Sequence, residues 1–512
     1  MTLNERIQEL HDRTSALRAG GGEKAIAKQH SQGKLTARER IVLLLDPDSF
    51  HEIGLFVRHA CTDFGMQNKE IPADGVVTGY GCVEGRRVFV YAQDVTAVGG
   101  SMGKAQAEKI VRIMKMALAE GAPVIGINDS GGARIQEGVD SLAGYGEIFR
   151  ANVLASGKIP QLTLIMGPCA GGAAYSPALT DLVLMTEKNA RMFCTGPGVL
   201  SSVTFEEIDA DTLGGAHTHA SVTGEVHLTE PGDEALIRTT RRLLSYLPSS
   251  AKERPPVVSY TPADESRPAL NRILPESRRT AYDMKKVIAQ LADEGSILEL
   301  QPLFADNLIT ALVRIGGRTA GIVANQPWVM AGVLDFNAVD KGARFVNFCN
   351  AFNIPLISLV DVPGFLPGIT QEHSGLLRHG AKMLYAFNAA EVPQITVLVR
   401  KAYGGAYMAM GNRESNADLV IAWPTAELAV MGAEGAVDIV YKKELAAAED
   451  PAAEKKRLAD AYTEKFSAPY HAAGRGYIDM VIDPADTRKE LIAALELLKD
   501  KPIGEKHGNM PL

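Results

Sequence analysis

Hydrophobic and polar positions change period several times along the chain, and each change marks an element. Leu3, Ile7, Leu10 and Leu17 recur at helical spacing until Gly20-Gly21-Gly22 interrupts them, which predicts an amphipathic helix over 1–18. Short β-rich runs then alternate with helical ones: VFVYA (88–92), a helical pattern across 101–119, PVIGIND (123–129), TLIMG (163–167) and LVLM (182–185). Strand, helix and strand at this spacing require crossover connections, hence a parallel sheet. Between 248 and 275 stand Pro248, Pro255, Pro256, Pro262, Pro268 and Pro275, which predicts a boundary between domains 1–255 and 256–512.

Past that boundary the first half recurs. GRRVFVYAQD (85–94) answers GRTAGIVANQ (317–326), and PVIGINDSGG (123–132) answers PLISLVDVPG (355–364). Gly85 and Gly317, Pro123 and Pro355, and Asp129 and Asp361 are each 232 residues apart. Gly171-Gly172 answers Gly404-Gly405 at 233, and TDLVLM (180–185) answers ADLVIA (417–422) at 237. Chance similarity of apolar strands would not hold register across so many glycines, so the pattern predicts one α/β domain duplicated and diverged.

Each half carries two glycine-rich turns directly after a strand. In the first half they are Asp129-Ser130-Gly131-Gly132-Ala133-Arg134 and Gly167-Pro168-Cys169-Ala170-Gly171-Gly172-Ala173; in the second, Asp361-Val362-Pro363-Gly364-Phe365 and Ala402-Tyr403-Gly404-Gly405-Ala406-Tyr407. Paired glycines followed by Ala let backbone N–H groups approach a ligand and open a helix whose start favours negative charge. Such amides suit an enolate or thioester oxyanion, where one donor contributes on the order of 3 kcal/mol to the transition state. Tight helix–strand packing is the alternative reason for the same glycines.

Composition narrows what the turns can serve. Hydrophobic residues make up 46%, charged residues 22% and aromatics 6%, the balance of a soluble α/β protein and not of a disordered, collagenous or membrane chain. A net charge of −8 disfavours nucleic acid as a partner, so an anionic ligand must be met locally. The basic segment 24–40, with Lys24, Lys28, His30, Lys34, Arg38 and Arg40, is the candidate for that contact; a solvated helix face is the alternative. The start lacks the apolar run of a signal peptide, and no stretch reaches ~18 uninterrupted apolar residues. Cys61, Cys82, Cys169, Cys194 and Cys349 stand at wide spacing with no CxxC pair, so a cytoplasmic protein without a metal is expected. Neither GxSxG nor HExxH occurs, and the His217/His219 pair reads as a loop feature.

The motifs GGGEKAIAKQHSQGKLTARERI, ADGVVTGYG, INDSGGARIQEGVDSLAGYG, MGPCAGGAAYSPALTD, FCTGP, DVPGFLPG, RHGAKMLYA, RKAYGGAYMAM, AWPTAELAVMGAEGA and KHGNMPL follow one another over nearly the whole chain. In that order they resemble the carboxyltransferase subunits of biotin-dependent acyl-CoA carboxylases and decarboxylases. The resemblance implies two tandem crotonase-like ββα-superhelix domains and a homohexamer built as a trimer of dimers. It implies an acyl-CoA substrate on the N-terminal domain and biotin, carried by a partner protein or domain, on the C-terminal one. Further partners would be a biotin carboxylase or a membrane decarboxylase subunit.

Carried over by motif, Gly171 and Gly172 would hold the thioester oxygen as an enolate, and Gly405 and Ala406 the ureido oxygen of biotin. Carboxybiotin would release CO2, the ureido anion would take the α-proton, and the enolate would attack CO2, with no side-chain base. Gly131, Gly132, Ala133 and Tyr175 would line the acyl-CoA side, with Arg38 and Arg40 on the adenosine phosphates. Gly364, Phe365 and Tyr407 would line the biotin side. Met408 replaces the acid that propionyl-CoA carboxylases usually carry after GGAY; it is apolar as in methylmalonyl-CoA decarboxylases and transcarboxylases, and is expected to line the acyl pocket. The methylmalonyl-CoA/propionyl-CoA pair is the expected substrate, with acetyl-CoA or a broader acyl range as the alternative. Met114-Lys115-Met116 matches the tripeptide around a biotinylated lysine, but Ile110, Ile113, Met114 and Ala117 mark a helical face, so no covalent biotin is expected on this chain. A crotonase-fold hydratase or thioesterase would need a positioned carboxylate, for which Glu137 and Glu147 are the candidates; a non-catalytic scaffold is the remaining alternative.

Overall fold

The computed structural model describes residues 1–505 and 507–510, and its contacts divide the chain into two units. The first holds Met1–Glu253 together with the tail 507–510; the second begins at Arg254 and ends at Glu505. The tail therefore leaves the C-terminal half to which the expected boundary assigned it. Asn509 secures it on the first unit, through its N–H to Ser156 Oγ at 2.8 Å and its amide to Asp181 at 3.0 Å.

The first unit is built on one sheet of β1 (His51–Glu52), β2 (Val76–Val83), β3 (Arg86–Gln93), β4 (Val124–Ser130), β5 (Gln161–Ala170), β6 (Leu182–Thr186), β7 (Arg191–Phe193) and β8 (Leu228–Glu230). Its strand order is 1-2-3-4-5-6-8, with β7 paired to β5. The second repeats it with β9 (Leu298–Leu300), β10 (Leu308–Ile315), β11 (Arg318–Asn325), β12 (Leu356–Val362), β13 (Gln394–Tyr403), β14 (Leu419–Ala422), β15 (Glu427–Ala429) and β16 (Met480–Val481), in order 9-10-11-12-13-14-16 with β15 on β13. The strands at the centre, β4 and β12, are buried along their whole length, as parallel strands covered on both faces must be.

The duplication extends to backbone conformations. Ala73 and Ala305, Val98 and Met330, Gly100 and Gly332, and Gly121 and Asn353 are 232 residues apart, and every one has φ > 0. The hairpin joining β2 to β3 turns on Glu84-Gly85, whose amides donate to Asp46; that joining β10 to β11 turns on Gly316-Gly317, whose amides donate to Asp293. Arg241 and Arg488 hold the two carboxylates, at 2.9 and 2.7 Å. Lys109 and Lys341, also 232 apart, bury their ammonium groups among backbone carbonyls: Ala73 and Val76 in one unit, Gln301, Phe304, Ala305 and Leu308 in the other.

Candidate active site

Both glycine-rich turns of a unit leave the C-terminal ends of neighbouring parallel strands. In the first unit Gly131 donates to Gly99 O at 3.0 Å, and Met102 bridges the turn from either side, its N–H to Gly132 O and its carbonyl to the Arg134 N–H, both at 2.8 Å. Those bonds use the groups flanking Ala133 and leave its own N–H pointing the other way; among the described residues it donates no hydrogen bond. The turns touch, because a Cβ on Gly132, where φ is +97°, would stand 3.2 Å from Ala170 O. Gly172 opens the helix Gly172–Ala178, so the N–H groups of Gly172 and Ala173 have no acceptor within it.

Gly171 does not fit the role expected for it. Its N–H donates to Phe193 O at 3.0 Å, and its φ of +62° makes it the hinge between strand and helix. The repeat points the same way, since Gly172 and Ala173 stand 233 residues before Gly405 and Ala406. The Cys169 of this turn is no nucleophile, because complete burial pushes its thiol up to about 12.

Arg40 is a second correction. Far from meeting a ligand at the surface, it is fully buried, with Nε on Asp233 at 2.7 Å, one terminal nitrogen on Asp129 at 3.0 Å and the other on Met166 O at 3.0 Å. Lys34 reaches the same Asp129 carboxylate at 2.6 Å. Asp129 lies directly under the second turn: a Cβ on Gly167 would stand 1.9 Å from its Oδ1. Arg38, partly exposed, is held bidentately by Glu52 at 2.9 and 2.8 Å. Lys34 and Arg40 thus brace the turns from within, while Lys24, Lys28 and His30 of the same segment are exposed. Further exposed cations, Arg13, Arg58 and Lys69, line a cleft of about 550 Å³ together with Phe56, Glu70 and the loop Thr96, Ala97 and Val98. They come from three separate segments, so no run of charge announced them.

The second unit repeats the arrangement with its own partners. Leu334 bridges Phe365 as Met102 bridges Ala133, through Gly364 O at 3.1 Å and the Leu366 N–H at 2.8 Å. Asp361 sits where Asp129 does, and takes Arg400 Nε at 2.9 Å and the Lys401 N–H at 3.1 Å. Burial raises its pKa, against the pull of Arg400. Gly404, with φ +57°, is the hinge, and Gly405 and Ala406 lie in the first turn of the helix Gly404–Met408. Tyr407, expected to line the cleft, is buried, and burial drives its phenol pKa up. A cleft of about 920 Å³, lined among others by Lys401, Tyr403, Gly432, Arg278 and Lys455, opens beside this turn. Tyr175 and Met408 are both exposed.

The carboxylates that a hydratase would need are committed or remote. Glu137 accepts from Arg134 at 2.7 Å and from the Lys104 N–H at 2.8 Å, which caps the helix Lys104–Glu120. Glu147 lines a different groove, with Lys115 and Arg150. His219 bonds Met192 O and Thr223, and no cluster of metal-ligating side chains occurs among the described residues.

Residues 28–510 match the Carboxyl transferase domain. The chain belongs to the carboxyl transferase family. It is 52% identical to the alpha subunit of methylmalonyl-CoA decarboxylase from Veillonella parvula, over 100% of both chains, and 51% identical to the propionyl-CoA carboxylase beta chain of Roseobacter denitrificans, again over 100% of both. Its fold superposes on the transcarboxylase 12S crystal structure, described as a hexamer with methylmalonyl-coenzyme A and methylmalonic acid bound, with a TM-score of 0.97 and 52% identity over 100% of this chain and 99% of that one. As a carboxyl transferase the chain has the two-domain α/β architecture of that structure. Among its described residues no helix is long and apolar enough to cross a membrane.

Proposed function

We propose that the chain moves a carboxyl group between biotin and the α-carbon of a short acyl-CoA, most simply the methylmalonyl-CoA/propionyl-CoA pair named in its relatives. The observation that carries this reading is the same amide-presenting turn built twice, with Glu137 and Glu147 committed elsewhere or remote from the first. The N–H groups of Gly172 and Ala173, with Ala133 from the neighbouring turn, would stabilise the thioester oxygen as it takes up charge. Stabilisation of that oxygen acidifies the α-carbon and lets a C–C bond to a carboxylate form or break there, so positioning replaces proton shuttling. The CoA phosphates would lie against Arg13, Arg58 and Lys69, in the cleft whose wall continues through Gly99 to Gly131.

The second turn fits biotin's ureido oxygen. A Cβ on Gly405 would stand 3.5 Å from the Phe365 ring, so glycine keeps room for a flat group over the amides of Gly405 and Ala406. Bound there on a partner's carrier, biotin supplies the ureido nitrogen that carries the carboxyl group. A homohexamer, a biotin-carrier partner, a biotin carboxylase or membrane decarboxylase subunit and a cytoplasmic setting complete the proposal. Met408 favours the decarboxylase or transcarboxylase direction.

The test is transfer of 14C from carboxyl-labelled methylmalonyl-CoA to free biotin by the purified full chain. Labelled carboxybiotin is expected. Release of free CoA without labelled biotin would instead support a thioesterase.

A further inference from the structure

The helix Gly172–Ala178, which presents the amides of the first turn, is too short to hold itself, having seven residues with Pro177 inside. The Ala173 carbonyl, which an N–H at 177 would have met, takes Cys169 Sγ at 3.2 Å instead. The helix is fixed at Ser176, one turn on from Gly172, whose hydroxyl donates to Asn152 Oδ1 at 3.0 Å. From there a chain of hydrogen bonds leads away from the turn. Asn152 Nδ2 donates to Gln161 Oε1 and Gln161 Nε2 to Asn152 O, both at 3.0 Å, and the Gln161 N–H donates to Asp181 Oδ2 at 2.8 Å. The other oxygen of Asp181 takes Asn509 Nδ2 at 3.0 Å, so the chain ends in the C-terminal tail. All five side chains are buried, Ser176 the most exposed of them at 6%. The path of the tail is built in as well: a Cβ on Gly157, where φ is +69°, would stand 2.3 Å from His507 O.

The second unit closes the same fold without such a chain. Its helix Leu376–Ala389 matches Val139–Ala155 at an offset of 235, where buried 145, 148, 151, 152 and 155 answer buried 380, 383, 386, 387 and 390. Phe387 therefore stands for Asn152, while Gln394, Ala409 and Asp418 stand for Gln161, Ser176 and Asp181. Gln394 donates to Phe387 O at 3.1 Å and Ala390 O at 2.9 Å, and its Oε1 meets no partner among the described residues. Asp418 keeps the Gln394 N–H at 2.8 Å but takes Lys501 at 2.9 and 2.8 Å. Packing of this architecture is thus satisfied by a phenylalanine, an alanine and a lysine. The first unit instead runs an unbroken polar chain through its core, which is stabilising only while every link is made.

We infer that the C-terminal tail is a positioning element for the first turn: Asn509, acting through Asp181, Gln161, Asn152 and Ser176, fixes the helix that presents the N–H groups of Gly172 and Ala173. The inference rests on the reading of those amides as donors to the thioester oxygen. Ser176 and Asn509 act on the reaction only through the helix, where a shift of about 1 Å costs up to ~10²-fold in rate.

The experiment uses full-length, assembled Ser176→Ala, Ser176→Thr, Asn509→Ala and the double variant Ser176→Ala/Asn509→Ala, each checked by thermal melt. The kcat for 14C transfer from methylmalonyl-CoA to free biotin, the biotin KM and the Kd for propionyl-CoA are measured on each. Ser176→Ala, which installs the residue of the second unit, should lower kcat about tenfold with the biotin KM and propionyl-CoA Kd within about twofold of wild type. Ser176→Thr, which keeps the hydroxyl, should restore kcat. Asn509→Ala should lower kcat about fivefold, and the double variant should lose no more than about tenfold, because both changes break one chain. A normal kcat in folded Ser176→Ala overturns the inference, and decides the matter even if Asn509→Ala fails to fold. So does a loss of about fiftyfold in the double variant, the product expected of two independent defects. Folded Ser176→Thr as slow as Ser176→Ala would assign the loss to shape and overturn it too, as would a loss that falls on the propionyl-CoA Kd with kcat preserved. A wild-type chain that moves no carboxyl group to biotin is a different result; it overturns the functional reading, and the inference with it.

Discussion

Tyr175 and Met408 hold the same position in the two copies, each three residues beyond the second glycine of its turn, and both are exposed, 52% and 39%. Each is the first large exposed side chain on the helix that the turn opens. A ligand lying over either pair of amides would meet it next, which makes this position a natural site for reading the group attached there.

Tyr175→Asp should therefore change acyl preference. One methylene contact discriminates by only ~1–3 kcal/mol, so the propionyl-CoA to acetyl-CoA ratio of kcat/KM should move by no more than about two hundredfold. Rates with acetyl-, propionyl- and butyryl-CoA check this, and identical ratios in the two proteins would remove Tyr175 from the pocket.

The two glycines of the first turn should respond differently to alanine. Gly171→Ala forces φ +62° on a residue with a Cβ, at a cost of about 1–2 kcal/mol in stability, but leaves its N–H on Phe193 O and should hold kcat within a few-fold. A loss of ~10²-fold in kcat at normal fold would return Gly171 to the donors.

Arg40 and the exposed cations should separate by kinetics. Arg40→Ala leaves the buried Asp233 without its cation and Asp129 with Lys34 alone, and should cost about 3–5 kcal/mol of stability in urea unfolding. Arg58→Ala with Lys69→Ala should raise the acyl-CoA KM with kcat preserved, as lost uniform binding does. An unchanged KM would dissociate this cleft from CoA.

Lys341→Met leaves four carbonyls with no ammonium, and Lys109→Met leaves two. Each uncompensated buried polar group costs about 1–3 kcal/mol, so Lys341→Met should lower the unfolding midpoint more than Lys109→Met. The reverse order would show that the cage of Lys341 relaxes on losing its cation.

How far the sequence could carry these arguments depended on chain separation. The repeat was legible because glycines at Gly85, Gly132 and Gly171 recur wherever the backbone needs φ > 0. The left-handed Ala73, Val98, Met330 and Asn353 were not, since their side chains give no such signal. Lys34 and Arg40 read as part of a ligand-facing basic segment because their partners, Asp129 and Asp233, lie far along the chain. Lys109 and Lys341 look like ordinary helix lysines until the carbonyls around them are seen.

The claim that the two copies divide acyl-CoA and biotin between them is tested most directly by comparing Gly172→Ala with Gly405→Ala in assembled protein. Neither has φ in the left-handed region; the added Cβ would lie 2.9 Å from Tyr145 in one and at an ordinary 3.5 Å from Phe365 in the other, so Gly405→Ala should fold without strain. The measurement is exchange of the propionyl-CoA α-proton with solvent, followed alongside 14C transfer to biotin. By placing a methyl group beside the amides without removing an N–H, Gly172→Ala should lose about 10–200-fold in both, while Gly405→Ala should lose as much in transfer with propionyl-CoA affinity unchanged. Weakened propionyl-CoA binding in Gly405→Ala, with normal binding in folded Gly172→Ala, would contradict the account.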